Sequence, residues 1–85
     1  MNRSKSIYKL AQNLETLFLS YGVKENKLLK LQLKSFLANE FIFPNIETME
    51  ELINDLINSY DPFNEYMERL EWFKTKSLQI NNKFN

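Results

Sequence analysis

The sequence contains no cysteine and no histidine. Without cysteine the chain has no disulfide framework and no thiolate nucleophile. Without histidine it lacks the commonest general base and the commonest metal ligand. We therefore expect a protein that is not an enzyme and that binds neither a metal nor a cofactor.

Long hydrophobic runs are also missing. The longest uninterrupted apolar runs, such as those at 17–19 and 41–43, have three residues each, whereas a membrane span needs roughly 20. The amino-terminal stretch MNRSKSIYKLAQNLE has no apolar segment followed by a small-residue cleavage site, so it does not match a secretory signal. We predict a cytoplasmic protein that does not associate with membranes.

Charge is balanced in total but divided along the chain. The net charge is zero, yet residues 1–40 carry seven cations against three acids. Residues 41–71 carry eight acids against Arg69 alone, and lysines near the end restore neutrality. The first half of the chain is therefore basic, and the middle of the second half is acidic.

The apolar spacing of the first half predicts two amphipathic helices, because apolar residues recur at i, i+3, i+4 and i+7. Helix one is predicted over about 4–21 and helix two over about 24–40. The chain's one glycine, Gly22, follows helix one as the expected C′ residue. The predicted inward stripes are Ile7, Leu10, Ala11, Leu14, Leu17, Phe18 and Tyr21, then Leu29, Leu33, Phe36 and Leu37.

The first of two prolines predicts a break between helices two and three. Pro44 removes a backbone donor and disfavours helical geometry at the residue before it, so we place the break at 41–46. Thr48 and Glu51 have the spacing of a capping box, which predicts that helix three begins at Thr48. Its predicted inward stripe is Met49, Leu52, Ile53, Leu56, Ile57 and Tyr60.

The second proline predicts the start of helix four. Asp61 has the residue type of a helix cap, and Pro62 is tolerated in a first helical turn. Its predicted inward stripe is Phe63, Tyr66, Met67, Leu70, Phe73 and Ser77. The last residues, 79–85, have weak periodicity and are predicted to fray.

These signals predict one all-α domain over residues 1–85, a compact bundle of four short helices with its core at about 4–78. The order of three motifs, LFLSY at 17–21, FLANE at 36–40 leading to Phe43-Pro44, and FNEYME at 63–68, resembles the YozE/SAM-like family of small bacterial proteins. The resemblance covers roughly residues 14–73. It implies a SAM-like fold, and for function it offers only the suggestion of nucleic-acid binding.

The chain departs from that family pattern at three positions. Gly22 and Asn45 stand where the family usually has basic residues, and Met67 stands where it has tryptophan. The motifs consist mostly of helix joints and core aromatics. The resemblance therefore concerns the fold more than the activity.

Acidic residues crowd helices three and four. The predicted protein-binding site consists of Glu50, Glu51, Asp55, Glu65, Glu68 and Trp72. Such a face can meet a basic patch on a partner and speed encounter by electrostatic steering. The alternative is an ordinary solvated surface. A metal-binding or acid–base role for the carboxylates at 47–55 is set aside, since they match no EF-hand loop.

Three apolar residues lie off the predicted stripes. Leu28 and Leu31 on helix two and Trp72 on helix four are candidates for exposed interface residues, because tryptophan is a favoured anchor. The alternative for Trp72 is burial beneath the carboxy-terminal tail, against Ile80 or Phe84.

The lysines of helix two form an alternative site for nucleic acid: Lys24, Lys27, Lys30 and Lys34. Each lysine placed on a phosphate makes a salt-dependent contribution to the affinity. A net charge of zero and only two arginines argue against sequence-specific DNA recognition. A solvated helix face is the simpler interpretation.

Together these features predict a non-enzymatic helical interaction module that binds a protein partner. The abundance of Asn, Lys and Ile matches AT-rich codons and indicates a low-GC bacterium or its phage. We therefore expect an accessory or inhibitory factor of phage or mobile-element type. A homo-oligomer is a further alternative, because the basic and acidic halves of two copies can pair.

Overall fold

A computed structural model describes residues 3–21 and 26–84. This part of the chain forms four helices and no strand: α1 (Arg3–Tyr21), α2 (Asn26–Glu40), α3 (Ile46–Ser59) and α4 (Tyr66–Phe84). The prediction of an all-α bundle of four short helices is confirmed. Gly22 and Lys24 lie outside the described residues, so the expectations for them stay predictions. None of the described helices has the length and apolarity needed to cross a membrane.

All four helices contribute to the core. Helix α1 packs against both α2 and α4, and α2 packs against α3. The buried apolar side chains form one cluster: Leu10, Ala11, Leu14, Phe18, Leu29, Leu33, Leu37, Met49, Ile53, Leu56, Ile57, Tyr60, Phe73 and Ile80. The predicted inward stripes of the first three helices therefore face this core, with Ile7, Leu17, Tyr21, Phe36 and Leu52 half-buried at its edge.

An aromatic cluster joins α1, α4 and the residue that follows α3. The ring centroid of Phe18 lies 4.8 Å from that of Tyr60 and 5.8 Å from that of Trp72. Trp72 also meets Phe73 edge-on, with centroids 5.0 Å apart. Trp72 is half-buried against Phe18 and Tyr60, and part of its side chain lines a surface groove.

The start of α3 differs from the prediction. Asn45 is the N-cap, and its Oδ1 accepts hydrogen bonds from the backbone N–H and the hydroxyl of Thr48, each at 2.8 Å. The predicted capping box of Thr48 with Glu51 is wrong, since the Thr48 side chain donates to this cap instead of acting as one. The break after α2 therefore covers Phe41–Asn45, and Ile46 is already helical.

The start of α4 also differs. Asp61 does not cap the helix but closes a turn, in which its Oδ1 accepts from the N–H of Phe63 at 2.9 Å and its carbonyl accepts from Asn64 at 3.3 Å. The helix begins later, at Tyr66, where the N–H of Glu65 donates to the Glu68 carboxylate at 3.4 Å. This is one half of a capping box.

This turn changes the first part of the predicted inward stripe. Phe63 is 94% exposed, Met67 69% and Tyr66 59%, so the prediction that they point inward is wrong. The helical phase of Phe73 and Ser77 cannot be extended back to Phe63, because Phe63 lies in the turn before the helix.

The predicted frayed tail is also wrong for the described residues. Residues 79–84 complete α4, where Ile80 is only 2% exposed and Phe84 packs on Phe43 with ring centroids 4.5 Å apart. Ser77, Ile80 and Phe84 continue the helical spacing of Phe73, so the last turns of α4 pack against the core.

Candidate functional site

The predicted acidic site is divided by ion pairs between helices. The Nζ of Lys34 donates to Glu50 Oε2 at 2.9 Å, which joins α2 to α3. The Nζ of Lys76 lies 3.5 Å from Asp55 Oδ2, which joins α4 to α3. Glu50 and Asp55 therefore each have a basic partner on another helix. Exposed pairs of this kind contribute only about 0–1 kcal/mol each, so the pairs affect the surface charge more than the stability.

Glu51 lies at a third place on the surface. It lines a wide, open groove of about 930 Å³ together with Lys83 and Phe84 of α4 and residues of the break after α2. The three acids predicted on α3 therefore face different neighbours.

The remaining predicted residues come together on the amino-terminal half of α4. A shallow groove of about 490 Å³ is lined by Asn64, Met67, Glu68, Glu71, Trp72 and Thr75. Glu65 and Phe63 precede it in the chain and are both exposed. We call these eight residues the α4 surface. It combines acidic side chains with an exposed methionine, an exposed phenylalanine and one half-buried tryptophan.

Two of the three cations closest in sequence to the α4 surface contact uncharged groups of that surface, and the third contacts α1. The Arg69 guanidinium donates to the carbonyl of Asn64, and Lys74 Nζ lies 5.7 Å from the ring centroid of Tyr8 on α1. Lys76 pairs with Asp55 and lies over the Trp72 ring, 5.9 Å from its centroid. Within the described residues, no ion pair reaches the glutamates of the α4 surface. The α4 surface therefore keeps an acidic character.

The sequence pattern misses one member of the α4 surface and misplaces two others. Glu71 contributes to the acidic count without being assigned to a site, and helical spacing assigns Met67 and Phe63 to the core. The Asp61-Pro62 pair is the sequence signal that could have placed Phe63 outside the core, since this pair is typical of a turn as well as of a helix start.

The lysines of α2 border a second groove. A groove of about 370 Å³ between α2 and α3 is lined by Lys27, Lys30, Leu31, Lys34, Glu50, Ile53 and Asn54. We call it the α2–α3 groove. Leu31 and Leu28 are both exposed, as the sequence indicated for these off-stripe residues. Because Glu50 pairs with Lys34, one of the three cations is already neutralised.

The acidic side chains form no metal-binding cluster in the part of the chain that the structure describes. No three acidic side chains there are grouped to hold a metal ion. Burial raises the pKa of Tyr60, which Arg69 opposes and Glu15 and Asp61 reinforce, so this phenol holds its proton more firmly than usual.

Comparisons with known proteins identify no relative. No family model matches the chain, and no curated protein or solved structure is significantly similar to it. The function is therefore inferred from the geometry of the chain itself.

Proposed function

We propose that this chain is a non-enzymatic interaction module that binds a protein partner through the α4 surface. The observation that carries the proposal is the meeting of exposed apolar side chains with acidic ones on one surface. Met67 is 69% exposed and lines one groove with Glu68 and Glu71, and Phe63, in the turn before α4, is 94% exposed. Scattered surface apolar residues are normal, but a cluster with a polar rim is typical of protein-binding sites.

The energetics favour these residues as anchors. Burying a phenylalanine or methionine side chain contributes roughly 1.5–3 kcal/mol, which is large for a single side chain. Methionine adapts its shape to different partners. The exposed part of Trp72 adds an aromatic edge that is held in place by Phe18 and Tyr60. The rigid core thus presents two flexible anchors next to one fixed aromatic ring.

The cellular role that we propose is an accessory or inhibitory factor of phage or mobile-element type, acting in the cytoplasm of a low-GC bacterium. A short chain with a codon-biased composition and an acidic surface supports this role. The resemblance to the YozE/SAM-like family, on the motifs at 17–21, 36–44 and 63–68, agrees with a small bacterial helical module.

Affinity capture with the purified chain tests the proposal. Met67→Asp and Phe63→Asp place a charge in the centre of the α4 surface, and Leu19→Asp on the exposed face of α1 is the matched control. We expect proteins that the wild-type chain retains from bacterial lysate to be lost with the two α4 variants and kept with the control. Circular dichroism of each variant shows whether it is folded.

Equal capture by all four folded proteins would show that the α4 surface is not the binding site. The same conclusion follows if the Leu19→Asp control loses its partners as fully as Met67→Asp does.

A second candidate function is nucleic-acid binding through the α2–α3 groove. It is favoured by the placement of Lys27, Lys30 and Lys34 along one groove. A gel-shift titration at low and moderate salt separates the two candidates. Salt-sensitive binding that is lost in the Lys27→Glu, Lys30→Glu double variant supports nucleic-acid binding. Unshifted DNA and RNA at micromolar protein exclude it.

A further inference from the structure

We infer that the partner of the α4 surface is a positively charged amphipathic helix of another protein. This inference rests on the proposed function and specifies the chemistry of the partner. It depends on three observations: the spacing of the acids, the positions of the nearby cations, and the shallow shape of the groove.

The acids are spaced along the axis of α4. Glu65 is the residue before the helix, and Glu68 and Glu71 follow at intervals of three. At a rise of 1.5 Å per residue, the three carboxylates extend over about 9 Å. Lysine or arginine side chains one turn apart on a partner helix match this spacing, since neighbours at i and i+3 or i+4 share a face.

Glu68 and Glu71 line the groove, and no lysine or arginine of the described residues lines it with them. Arg69, Lys74 and Lys76 each contact another group: the Asn64 carbonyl, the Tyr8 ring and the Asp55 carboxylate, respectively. A cationic partner therefore competes little with ion pairs inside the chain when it approaches these carboxylates. Electrostatic complementarity of this kind sets both the choice of partner and the rate of association.

The shape of the groove favours a helix over a small molecule. Small-molecule sites are deep and enclose most of their ligand, whereas this groove is shallow and open, with Met67 at one side and Trp72 at the other. An amphipathic helix that lies in such a groove places its apolar row on the floor and its basic residues at the rim. Met67 and Trp72 would contact the apolar row.

Two of the three acids also have a structural role, which affects the design of the test. Glu65 and Glu68 lie at the amino terminus of α4, where negative charge is favourable and where Glu68 accepts a hydrogen bond from the N–H of Glu65. Glu71 lies beyond the first turn and has no such role. Its substitution therefore reports on binding with the least effect on the helix.

The experiment uses the full chain and synthetic peptides. The probe is a helix of about 18 residues, or five turns, with one leucine row flanked by lysines. Its counterpart carries glutamate at every lysine position. Fluorescence anisotropy measures the affinity of both peptides at low and moderate salt. We expect the basic probe to bind, to weaken as salt rises, and to bind much more tightly than the acidic one.

Charge reversal locates the binding site. Glu65→Lys with Glu71→Lys is expected to weaken the basic probe by about tenfold or more, the effect of losing two attractions and gaining two repulsions. Glu47→Lys with Glu51→Lys makes the same charge change on α3 and is the matched control. We expect the control to weaken the probe by less than about twofold, because Glu47 and Glu51 lie on α3 and do not line the groove of the α4 surface.

Several results would overturn the inference. They are equal binding of the acidic and basic probes, equal loss in the control variant, absence of binding by either probe, and self-association of the chain that the α4 reversal abolishes. The last result, seen by sedimentation, would identify a second copy as the occupant.

The proposed function can survive the failure of this inference. If Met67→Asp removes captured proteins while the α4 charge reversal does not, the α4 surface binds a partner that is not basic. If neither variant changes capture, both the function and the partner chemistry are wrong.

Discussion

Ser77 is a polar residue in the apolar core. It is fully buried on the inner face of α4, and its hydroxyl has no hydrogen-bond partner among the described residues. An unsatisfied buried hydroxyl costs roughly 1–3 kcal/mol. Helical spacing places Ser77 correctly on the inward stripe, but the state of its hydroxyl depends on the neighbours that packing provides.

We predict that Ser77→Ala stabilises the fold by about 1 kcal/mol, because alanine removes the unsatisfied group and leaves little empty space. Urea denaturation measures the change in the free energy of unfolding. Ser59→Ala is the control, since the exposed Ser59 hydroxyl donates to the Asp55 carbonyl at 2.6 Å. A loss of stability in Ser77→Ala would show that the hydroxyl is satisfied.

Tyr60 gives the fold a dependence on alkaline pH. In the unfolded chain its phenol ionises near pH 10.0, while burial raises its pKa in the folded chain. Above that pH the unfolded state binds fewer protons than the folded state, so stability falls as the pH rises toward the folded pKa. Below it the phenol is neutral in both states, and its contribution is fully present.

We predict that Tyr60→Phe makes the loss of stability above about pH 10 less steep, because phenylalanine has no proton to lose. Urea denaturation of both proteins at a series of pH values from about 9 to about 11 measures this difference in slope. If stability falls equally steeply with pH in both proteins, the loss of stability above about pH 10 does not come from Tyr60.

At the scale of the elements, the existence of the helices is predictable from the sequence and their first residues are not. Apolar spacing fixes which face of α1, α2 or α3 is buried, and the structure confirms those faces. The predicted starts of α3 and α4 are wrong because several polar residues near each proline can cap a helix. Asn45 competes with Thr48, and Asp61 competes with Glu65. Only the backbone conformation decides between them.

The cap of α3 can be tested by substitution. We predict that Asn45→Ala lowers the free energy of unfolding by about 1 kcal/mol, since it removes the acceptor for the Thr48 N–H. Glu51→Ala should change it by less than about 0.5 kcal/mol, because Glu51 is exposed and takes no part in the cap. Urea denaturation of both variants measures the effects. A larger loss of stability for Glu51→Ala than for Asn45→Ala would support the capping box predicted from the sequence.

The last two turns of α4 carry a second test at this scale. Ile80 is buried in the core, whereas Leu78 is half exposed on the same helix. We predict that Ile80→Ala costs about 2–5 kcal/mol and Leu78→Ala less than about 1 kcal/mol. Thermal or urea denaturation measures both. If both variants lose little stability, and by the same amount, the last two turns of α4 do not pack against the core.

At the scale of the whole molecule, the sequence shows that one part of the chain is basic and another acidic, but it does not show which of these charges pair with each other. Folding brings Lys34 to Glu50 and Lys76 to Asp55, so part of the opposite charge is paired within the chain. The partners in each pair are far apart in the sequence and belong to different helices. Only the packing of α2 and α4 beside α3 shows which acids have no ion-pair partner within the described residues and can meet a binding partner.

The same packing explains why the α4 surface could be predicted only in part. Glu65, Glu68 and Trp72 stand out in the sequence by charge and by position off the stripe; Glu68 and Trp72 line one groove, and Glu65 is exposed just before α4. The acids of α3 stand out for the same reason, but Glu50 and Asp55 are each paired with a lysine of another helix. The turn at Asp61 places Phe63 outside the helix, and helical periodicity contains no information about this turn.

The most direct test of the central claim is a titration of the ¹⁵N-labelled chain with the basic amphipathic probe, followed by nuclear magnetic resonance. We predict that the backbone amide shifts that change most belong to residues 63–75, with the α2–α3 groove unaffected. Changes concentrated at residues 27–34, or none anywhere, would contradict the claim.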